Sequence, residues 1–557
     1  MYRGILLLYV CSVVGYSENV TASAPGPVTC APSGTFRGSW MSSRRGRQFQ
    51  AYRGIRYAEP PVGELRFQPP KPVLQYEGTV DASADGPACP QPTREGYPVS
   101  EDCLTINVYT PSNNSSPSLP VIFFIHPGGF YSMSGRSDLA GPHYLLDKDV
   151  VLVTINYRIG SLGFLAMGTV YAPGNNGYKD QVVALRWVQR NIAAFGGDPN
   201  LVTIAGCSAG SLSVLLHMIS PMSKGLFHRG ISLSGSPLAK VPSPPDRMDL
   251  AIKQAKVSNC PTDDKQQLYN CLKTKTWKEL AGSLLGFFDF GYDPLSLWRP
   301  VVEPDFGQER FLPLEPMEAI RQGKMHAVPY IISMTKDEFF WKAFTILRNN
   351  TLLQTMDTEW DRIAPISFIL PKDNSTAKAQ RLRSAYLNDK KLSNDSFIAD
   401  GLGKLYGDAI TAFPVHRMAN MMCRHSPQPV YYSEFSYQGN NSHYLDPNTK
   451  KPVAVAHHDD LIYVFSLSYR FPTIEVSDSE DSKMVDKMTT MWYNFAKTGI
   501  PNPSAESQEP KDSDSFTWPV MTPSKRVYLR IDKQFSVHEN LFEDRFKVWE
   551  ELYPIPY

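Results

Sequence analysis

The sequence predicts an α/β fold with a large, mostly parallel central sheet flanked by helices, because strand-like and helical patterns alternate along it. Val121–Ile125 and Val151–Ile155 are almost uninterrupted apolar runs, as is typical of strands buried on both faces of a parallel sheet. Gly230–Leu233 predicts a further strand. A helix is predicted from near Asp180, because one apolar stripe follows at helical spacing through Ala184, Trp187, Val188, Ile192 and Phe195.

Residues 1–17 are predicted to be a signal peptide. Arg3 precedes an apolar run from Ile5 to Val14, and the small residues Gly15 and Ser17 stand where a cleavage site expects them. We therefore expect the mature protein to be secreted into the extracellular space.

Residues 18–557 are expected to form a single domain, since the Pro- and Ser-rich stretches are short and lie between strongly patterned segments. Phe49–Phe67 is predicted to lie at the edge of the fold, because Pro60 and Pro61 cannot continue a central strand. The sequence after residue 17 contains no run of about twenty apolar residues, so it predicts no membrane anchor. A formal net charge of +1 without a basic cluster argues against nucleic-acid binding.

Sequons agree with the secretory route. Each is an Asn-x-Ser/Thr triplet without proline, and together they give these candidate glycosylation sites: Asn19, Asn113, Asn114, Asn349, Asn374, Asn394 and Asn440.

Removal of the signal peptide takes Cys11 and leaves an odd number of the 8 cysteines, so at least one is free or intermolecular. Close spacing favours two disulfides, Cys89 with Cys103 and Cys260 with Cys271. Each would stabilise the fold by roughly 3 kcal/mol in the chain-entropy model. The remaining cysteines are Cys30, Cys207 and Cys423.

The stretch around Ser208 has the pattern of a nucleophile elbow. The β-branched run Val202–Ile204 predicts a strand, and Leu212, Leu215, Leu216 and Ile219 predict a helix that ends near Ser220. The serine between them lies in a Gly-x-Ser-x-Gly turn, whose glycines leave room for a sharp, strained backbone. The alternative is an ordinary strand-to-helix turn.

A serine nucleophile also needs donors for an oxyanion. The residues 126–130 follow a predicted buried strand directly, where two glycines would let backbone amides approach a developing oxyanion. Pro127 has no amide hydrogen, so the predicted donors are Gly128, Gly129 and Ala209. A plain glycine loop is the alternative.

A base and an acid occur later in the chain. His457 and His458 stand beside acidic residues, and Asp337 and Glu338 follow the apolar stretch Tyr330–Ile332. The order serine, acid, histidine is that of α/β hydrolases. The pattern alone does not choose between the two histidines or between the two acids.

Over nearly all of residues 18–557 the sequence resembles the type B carboxylesterase and cholinesterase family. The matching stretches are Tyr52–Phe67, Glu101–Leu104, Asn107–Tyr109, Asn156–Arg158, Gly163–Leu165, Asp180–Gln181, Asn191–Pro199 and Trp492–Gly499. Trp298–Phe311 is most similar to insect secreted esterases such as those named venom carboxylesterases. The resemblance implies an α/β-hydrolase fold.

The resemblance also selects the site residues. It implies Ser208 as nucleophile, Glu338 as acid and His457 as base, with the oxyanion donors and disulfides given above, and no metal or cofactor. It therefore implies a secreted serine carboxylesterase that acts on a small-molecule ester through an acyl-enzyme.

The chain departs from the family pattern at four positions near these residues. Cys207 stands where glutamate is common, Pro127 replaces a glycine, Phe339 replaces the glycine that often follows the acid, and His458 replaces another glycine. None removes a reacting group, so the departures bear on substrate range.

A preference for neutral esters is expected from two absences. Cholinesterases hold a quaternary ammonium against a tryptophan in the first disulfide loop, and a carboxylate beside the nucleophile adds attraction. Between Cys89 and Cys103 this chain has only Tyr97 as an aromatic, and Cys207 replaces the carboxylate.

Two other functions remain open at this stage. One is a non-catalytic adhesion or ligand-binding protein of the neuroligin or glutactin kind, although such relatives typically lack a triad member that this chain has. The other is a lipase. The sequence gives neither the natural ester nor the oligomeric state.

Overall fold

The computed structural model describes residues 26–111, 118–238, 240, 242–502 and 517–557. Its strands are β1 (Val28–Ala31), β2 (Gly34–Arg37), β3 (Ser39–Ser42), β4 (Gln48–Arg56), β5 (Thr79–Asp81), β6 (Thr105–Pro111), β7 (Leu119–Ile125), β8 (Val151–Ile155), β9 (Gly197–Cys207), β10 (Arg229–Leu233), β11 (Tyr330–Thr335), β12 (Val430–Phe435), β13 (Val527–Ile531) and β14 (Ser536–Glu539). The predicted signal peptide lies outside the described residues.

The helices alternate with these strands in the first half of the chain and cluster in the second. They are α1 (Gly160–Phe164), α2 (Asn176–Asn191), α3 (Ala209–Ile219), α4 (Met248–Val257), α5 (Lys265–Thr274), α6 (Trp277–Gly282), α7 (Pro316–Arg321), α8 (Trp341–Leu347), α9 (Asn350–Thr358), α10 (Trp360–Ser367), α11 (Ser375–Leu387), α12 (Ser396–Gly407), α13 (Phe413–His425), α14 (Glu480–Thr498) and α15 (Glu543–Leu552).

The main sheet of the described chain has the order β14-β13-β12-β11-β10-β9-β7-β8-β6-β4-β3. Pairing is parallel from β8 through β7 and β9 to β13, and antiparallel at both ends of the sheet. The expected large, mostly parallel sheet is therefore present. A small sheet of order β1-β2-β5 lies apart from it.

The apolar run of β7 is continuous because both of its faces are covered. Val121, Phe123 and Ile125 pack into one core with α2 and α3, whereas Ile122 and Phe124 pack into another core with α14. Side chains alternate across a strand, so two covered faces require an apolar residue at every position.

The start of helix α2 and the place of strand β4 in the sheet differ from the predictions. Helix α2 begins at Asn176, earlier than Asp180, although Asn176 and Gly177 are poor helix formers. Asn176 is fixed there by tertiary structure, since its Nδ2 donates to the Phe67 carbonyl at 2.6 Å. Strand β4 lies one strand inside the edge rather than at it, because β3 pairs along its outer side.

Both predicted disulfides are present, Cys89–Cys103 and Cys260–Cys271. Cys30, Cys207 and Cys423 are free thiols. Asn349, Asn374, Asn394 and Asn440 are exposed, as glycosylation requires, whereas Asn19, Asn113 and Asn114 lie outside the described residues. None of the helices in the described ranges has the length and apolar character needed to cross a membrane.

Candidate active site

The strand β9 and the helix α3 meet at Ser208 in a strained turn. Ser208 has φ 54° and ψ −116°, a conformation that a non-glycine residue rarely adopts. Its amide donates to the Leu233 carbonyl at 2.8 Å, which ties the turn to the neighbouring strand β10. A Cβ at Gly206 would lie 2.4 Å from Gly210, and one at Gly210 would lie 2.0 Å from the Ile125 carbonyl oxygen. Both glycines are therefore required by close packing, as the elbow pattern predicts.

The loop after β7 presents the predicted oxyanion donors beside this turn. Gly128 has φ 113° and Gly129 has φ 60°, so both lie where glycine is favoured. The amides of Tyr131 and Ser132 donate to the Gly128 carbonyl at 3.0 and 2.9 Å, which fixes the loop as a tight turn. Within the described ranges, the amides of Gly128, Gly129 and Ala209 donate to no other protein group. They remain available to a ligand.

Glu338 and His457 are brought together from distant parts of the chain. Glu338 follows β11, and its Oε1 accepts from the Thr335 amide at 2.9 Å. Its Oε2 accepts a short hydrogen bond from His457 Nδ1. Because the bond fixes Nδ1 as the donor, Nε2 of His457 is left as the proton acceptor of the ring.

The free nitrogen of His457 belongs to the same cavity as Ser208. Nε2 is buried and has no hydrogen-bond partner among the described residues, and both side chains line one cavity. No hydrogen bond joins Ser208 to His457 in the described structure. Such bonds are often long before substrate binds and tighten in the complex.

The structure places the two candidate acids and the two candidate histidines in different surroundings. Asp337 does not contact a histidine; its Oδ2 accepts from the Val455 amide at 3.0 Å. His458 has φ 79°, a left-handed conformation that favours glycine, in agreement with the glycine that the family resemblance implies here. Burial, and then the charges of His457, His443 and Arg470, lower the pKa of His458 well below its ordinary value. Of the two histidines, only His457 is hydrogen-bonded to Glu338 in the described structure.

Phe339 and His458 enclose the His457 ring. The Phe339 ring centroid lies 4.0 Å from that of His457, and the His458 centroid also lies 4.0 Å from it. His457 is only 5% exposed as a result. Phe339 and His458 thus form walls on the imidazole of His457.

Cys207 and Asp460 lie buried behind the reacting groups. Burial, and then the negative charges of Asp460 and Glu338, raise the pKa of the Cys207 thiol well above its usual range, so the thiol is neutral. Both carboxyl oxygens of Asp460 lack a partner among the described residues. Burial, and then Glu338 and Asp459, raise the pKa of Asp460 to about 8. Sequence reasoning noted acidic residues beside His457 and His458 but did not identify Asp460 as a buried acid.

The cavity has a volume of about 770 Å³, a size that suits a small-molecule ligand. Its floor holds Ser208, His457 and the oxyanion loop. No aspartate or glutamate is among the described residues that line it, whereas four lysine and arginine residues are: Lys240, Arg247, Arg299 and Arg470. Sequence reasoning missed this basic lining, because the four residues are separated along the chain.

The described residues contain no group of His, Cys, Asp and Glu side chains that could hold a metal ion.

Comparison with known proteins gives consistent matches over most of the chain. The model of the carboxylesterase family matches residues 25–549. Juvenile hormone esterase of Tribolium castaneum is 35% identical over 88% of this chain and 86% of its own length. Venom carboxylesterase-6 of Apis mellifera is 33% identical over 93% of this chain and 92% of its own length.

A solved structure is similar to the whole fold. The crystal structure of juvenile hormone esterase from Manduca sexta, with OTFP covalently attached, superposes with a TM-score of 0.82 at 28% identity and covers 95% of this chain and 99% of that one. The predicted α/β-hydrolase fold is confirmed by this match.

These matches show that the protein is a carboxylic ester hydrolase, an enzyme class that acts on small-molecule esters. The sequence resemblance to type B carboxylesterases is confirmed, and the chain belongs to the carboxylesterase family.

Proposed function

We propose that the protein is a secreted serine carboxylesterase that hydrolyses neutral carboxylic esters through Ser208, Glu338 and His457. The observation that carries the proposal is the Glu338–His457 pair, whose free Nε2 lies in the same cavity as Ser208. Unpaired amides at Gly128 and Gly129 line that cavity as well.

The proposed mechanism begins with proton transfer from Ser208 Oγ to His457 Nε2 as Oγ attacks the ester carbonyl carbon. Glu338 stabilises the imidazolium that forms, and the amides of Gly128, Gly129 and Ala209 bind the oxyanion. The tetrahedral intermediate then expels the alcohol, which takes the proton from His457, and an acyl-enzyme remains on Ser208.

Deacylation repeats these roles with water. His457 removes a proton from the water that attacks the acyl carbon, the same amides bind the second oxyanion, and the acid leaves as Ser208 regains its proton. The Manduca sexta structure carries OTFP covalently attached. We propose that a covalent adduct of this chain forms at Ser208 as well.

The preference for neutral over cationic esters is supported by the cavity. Tyr97 is not among its described lining residues; the Arg136 guanidinium lies 5.4 Å from its ring centroid instead. Cys207 is a neutral thiol where a carboxylate would attract a cation. The guanidinium of Arg299, which lines the cavity and has no carboxylate partner among the described residues, adds repulsion.

Secretion as a single domain of residues 18–557, after removal of residues 1–17, remains part of the proposal. Amino-terminal sequencing of protein recovered from the medium of expressing cells should begin at Glu18. Retention inside the cell with an intact Met1 would contradict it.

Fluorophosphonate labelling tests the catalytic assignment. The purified protein should react with the probe, and peptide mass spectrometry should place the adduct on Ser208. Ser236 offers a matched control, since it also lines the cavity. Ser208→Ala should abolish labelling and Ser236→Ala should preserve it, whereas labelling that survives in a folded Ser208→Ala variant would exclude this nucleophile.

A further inference from the structure

The cavity has one basic wall, formed by Lys240, Arg247 and Arg299. The three residues belong to the loops before α4 and before α7 and are not needed for the chemistry at Ser208. Their partners within the protein differ, and this difference identifies the one that is available to a ligand.

Arg247 is already neutralised. Its Nε and Nη2 each donate to Asp249 at 2.8 Å, and its Nη1 donates to the Leu297 carbonyl at 2.9 Å. The guanidinium is thus fully hydrogen-bonded on its outer edge, and its charge is offset by a carboxylate.

Lys240 is also engaged. Its ammonium donates to the Ala409 carbonyl at 2.5 Å and lies 5.0 Å from the centroid of the Trp549 ring. Neither contact supplies a negative charge. Burial, and then the charges of Arg299 and Arg417, lower the pKa of Lys240 well below its ordinary value. Lys240 therefore offers a ligand anion neither a full positive charge nor a free donor.

Arg299 is different, because most of its donors have no partner. Its Nε donates to Ser296 Oγ at 3.3 Å. Its terminal nitrogens, Nη1 and Nη2, donate to no protein group in the described ranges, and no carboxylate pairs with it there. Burial, and then the charge of Arg247, lower the pKa of Arg299 to about 10, so the guanidinium is still charged at neutral pH.

An unpaired guanidinium beside a low-dielectric wall is unfavourable, and a bound anion would offset its cost. The two terminal nitrogens of arginine match the two oxygens of a carboxylate in a planar, bidentate pair. No acidic residue is among the described residues that line the cavity, and the carboxylate of Asp249, which acts on Arg299 from outside the lining, is already paired with Arg247.

We propose that Arg299 anchors a subsite for a carboxylate, so that the enzyme takes esters that carry a free carboxylate at the end remote from the scissile bond. The inference rests on the proposed function, because the ester bond must reach Ser208 while the carboxylate reaches Arg299 in the same cavity. It widens the accepted substrates from neutral esters to anionic ones and leaves cationic esters disfavoured.

Matched ester pairs test the subsite. The para-nitrophenyl monoester of adipic acid carries the charge on the acyl side, and the corresponding ester of adipamic acid is its neutral isostere. Acetoxyhexanoate and acetoxyhexanamide place the same difference on the alcohol side. In at least one pair, kcat/KM for the carboxylate should exceed that for the amide by about tenfold or more, as for a charge-assisted hydrogen-bonded pair.

Variants assign the effect to Arg299. Arg299→Met should bring the carboxylate-to-amide ratio close to one, and Arg299→Lys should restore part of it. Arg310→Met is the matched control: Arg310 pairs with Asp305 and is absent from the described lining, so its loss should leave the ratio as it is.

The outcomes separate this inference from the proposed function. A ratio near one in both pairs for the wild-type enzyme, or a ratio that Arg299→Met does not change, overturns the subsite while the triad stands. Failure to hydrolyse either member, with no labelling of Ser208, overturns the proposed function. If Arg299→Met does not fold, adipate should still inhibit the wild-type enzyme more strongly than adipamide; equal inhibition overturns the subsite.

Discussion

Gly128→Ala should strongly lower kcat while the protein stays folded. A Cβ at Gly128 would lie 2.0 Å from the Ser132 carbonyl oxygen, whereas real Cβ contacts essentially never fall below 3.0 Å. The two groups must therefore separate by at least 1.0 Å. The clash is with backbone, so a side-chain rotation cannot relieve it.

This displacement falls on a proposed oxyanion donor. Donors act at about 2.7–3.1 Å from the oxyanion, and the loss of one costs about 10²–10³-fold in kcat, or roughly 2.7–4 kcal/mol. A misplacement of about 1 Å has an effect of the same order. We therefore expect Gly128→Ala to lower kcat by about 10²–10³-fold with a smaller change in KM, measured by steady-state hydrolysis of para-nitrophenyl butyrate.

Gly225→Ala is the control that separates the effect of the steric clash from the cost of the left-handed backbone conformation. It has φ 80°, and a Cβ there would meet nothing within 4 Å. Alanine at either position loses about 1–2 kcal/mol of stability through its left-handed conformation. Only Gly128→Ala should lose activity. A Gly128→Ala enzyme with kcat within threefold of the wild type, folded by circular dichroism, would refute the assignment of the donor.

The remaining predictions concern the base, the buried acid and the alcohol. His457→Ala should lower kcat/KM by several orders of magnitude, and His458→Gly should keep most activity because φ 79° suits glycine; kinetics showing the reverse order would contradict the assignment. Asp460 keeps its proton to about pH 8 when folded but to only about pH 4 when unfolded, so its contribution to stability falls as pH rises between them. In urea unfolding, the free energy of unfolding should therefore decline less from pH 5 to pH 8 for Asp460→Asn than for the wild type. An equal decline in the two proteins would contradict the raised pKa of Asp460. Acetylthiocholine should not be preferred to its uncharged dimethylbutyl isostere; a preference of tenfold, about 1.4 kcal/mol, would contradict the expected neutral specificity.

Much of the fold follows from local pattern, where the pattern is strong. Both predicted apolar strands lie inside the sheet, and the helix after Ser208 ends within one residue of its predicted limit. Between Met248 and Leu402 helical patterns dominate the sequence, but they do not show where each helix begins or ends. Several of the helices there begin at side-chain caps, namely Asp264, Thr276, Asn349 and Asp395. The helices are short and pack on one another, so no long apolar stripe marks their limits.

The elbow at Ser208 and the glycine loop could be predicted from the sequence alone, because both depend on residues that are adjacent in the chain. It could not choose between Asp337 and Glu338 or between His457 and His458, since neighbouring side chains point in different directions and the partner lies more than a hundred residues away. The family resemblance made that choice, and the geometry agrees with it. The burial of Asp460 and the lack of a carboxylate partner for Arg299 in the basic wall are visible only in the folded protein. Burial and missing counter-charges depend on residues that are distant in the chain, so they leave no local pattern.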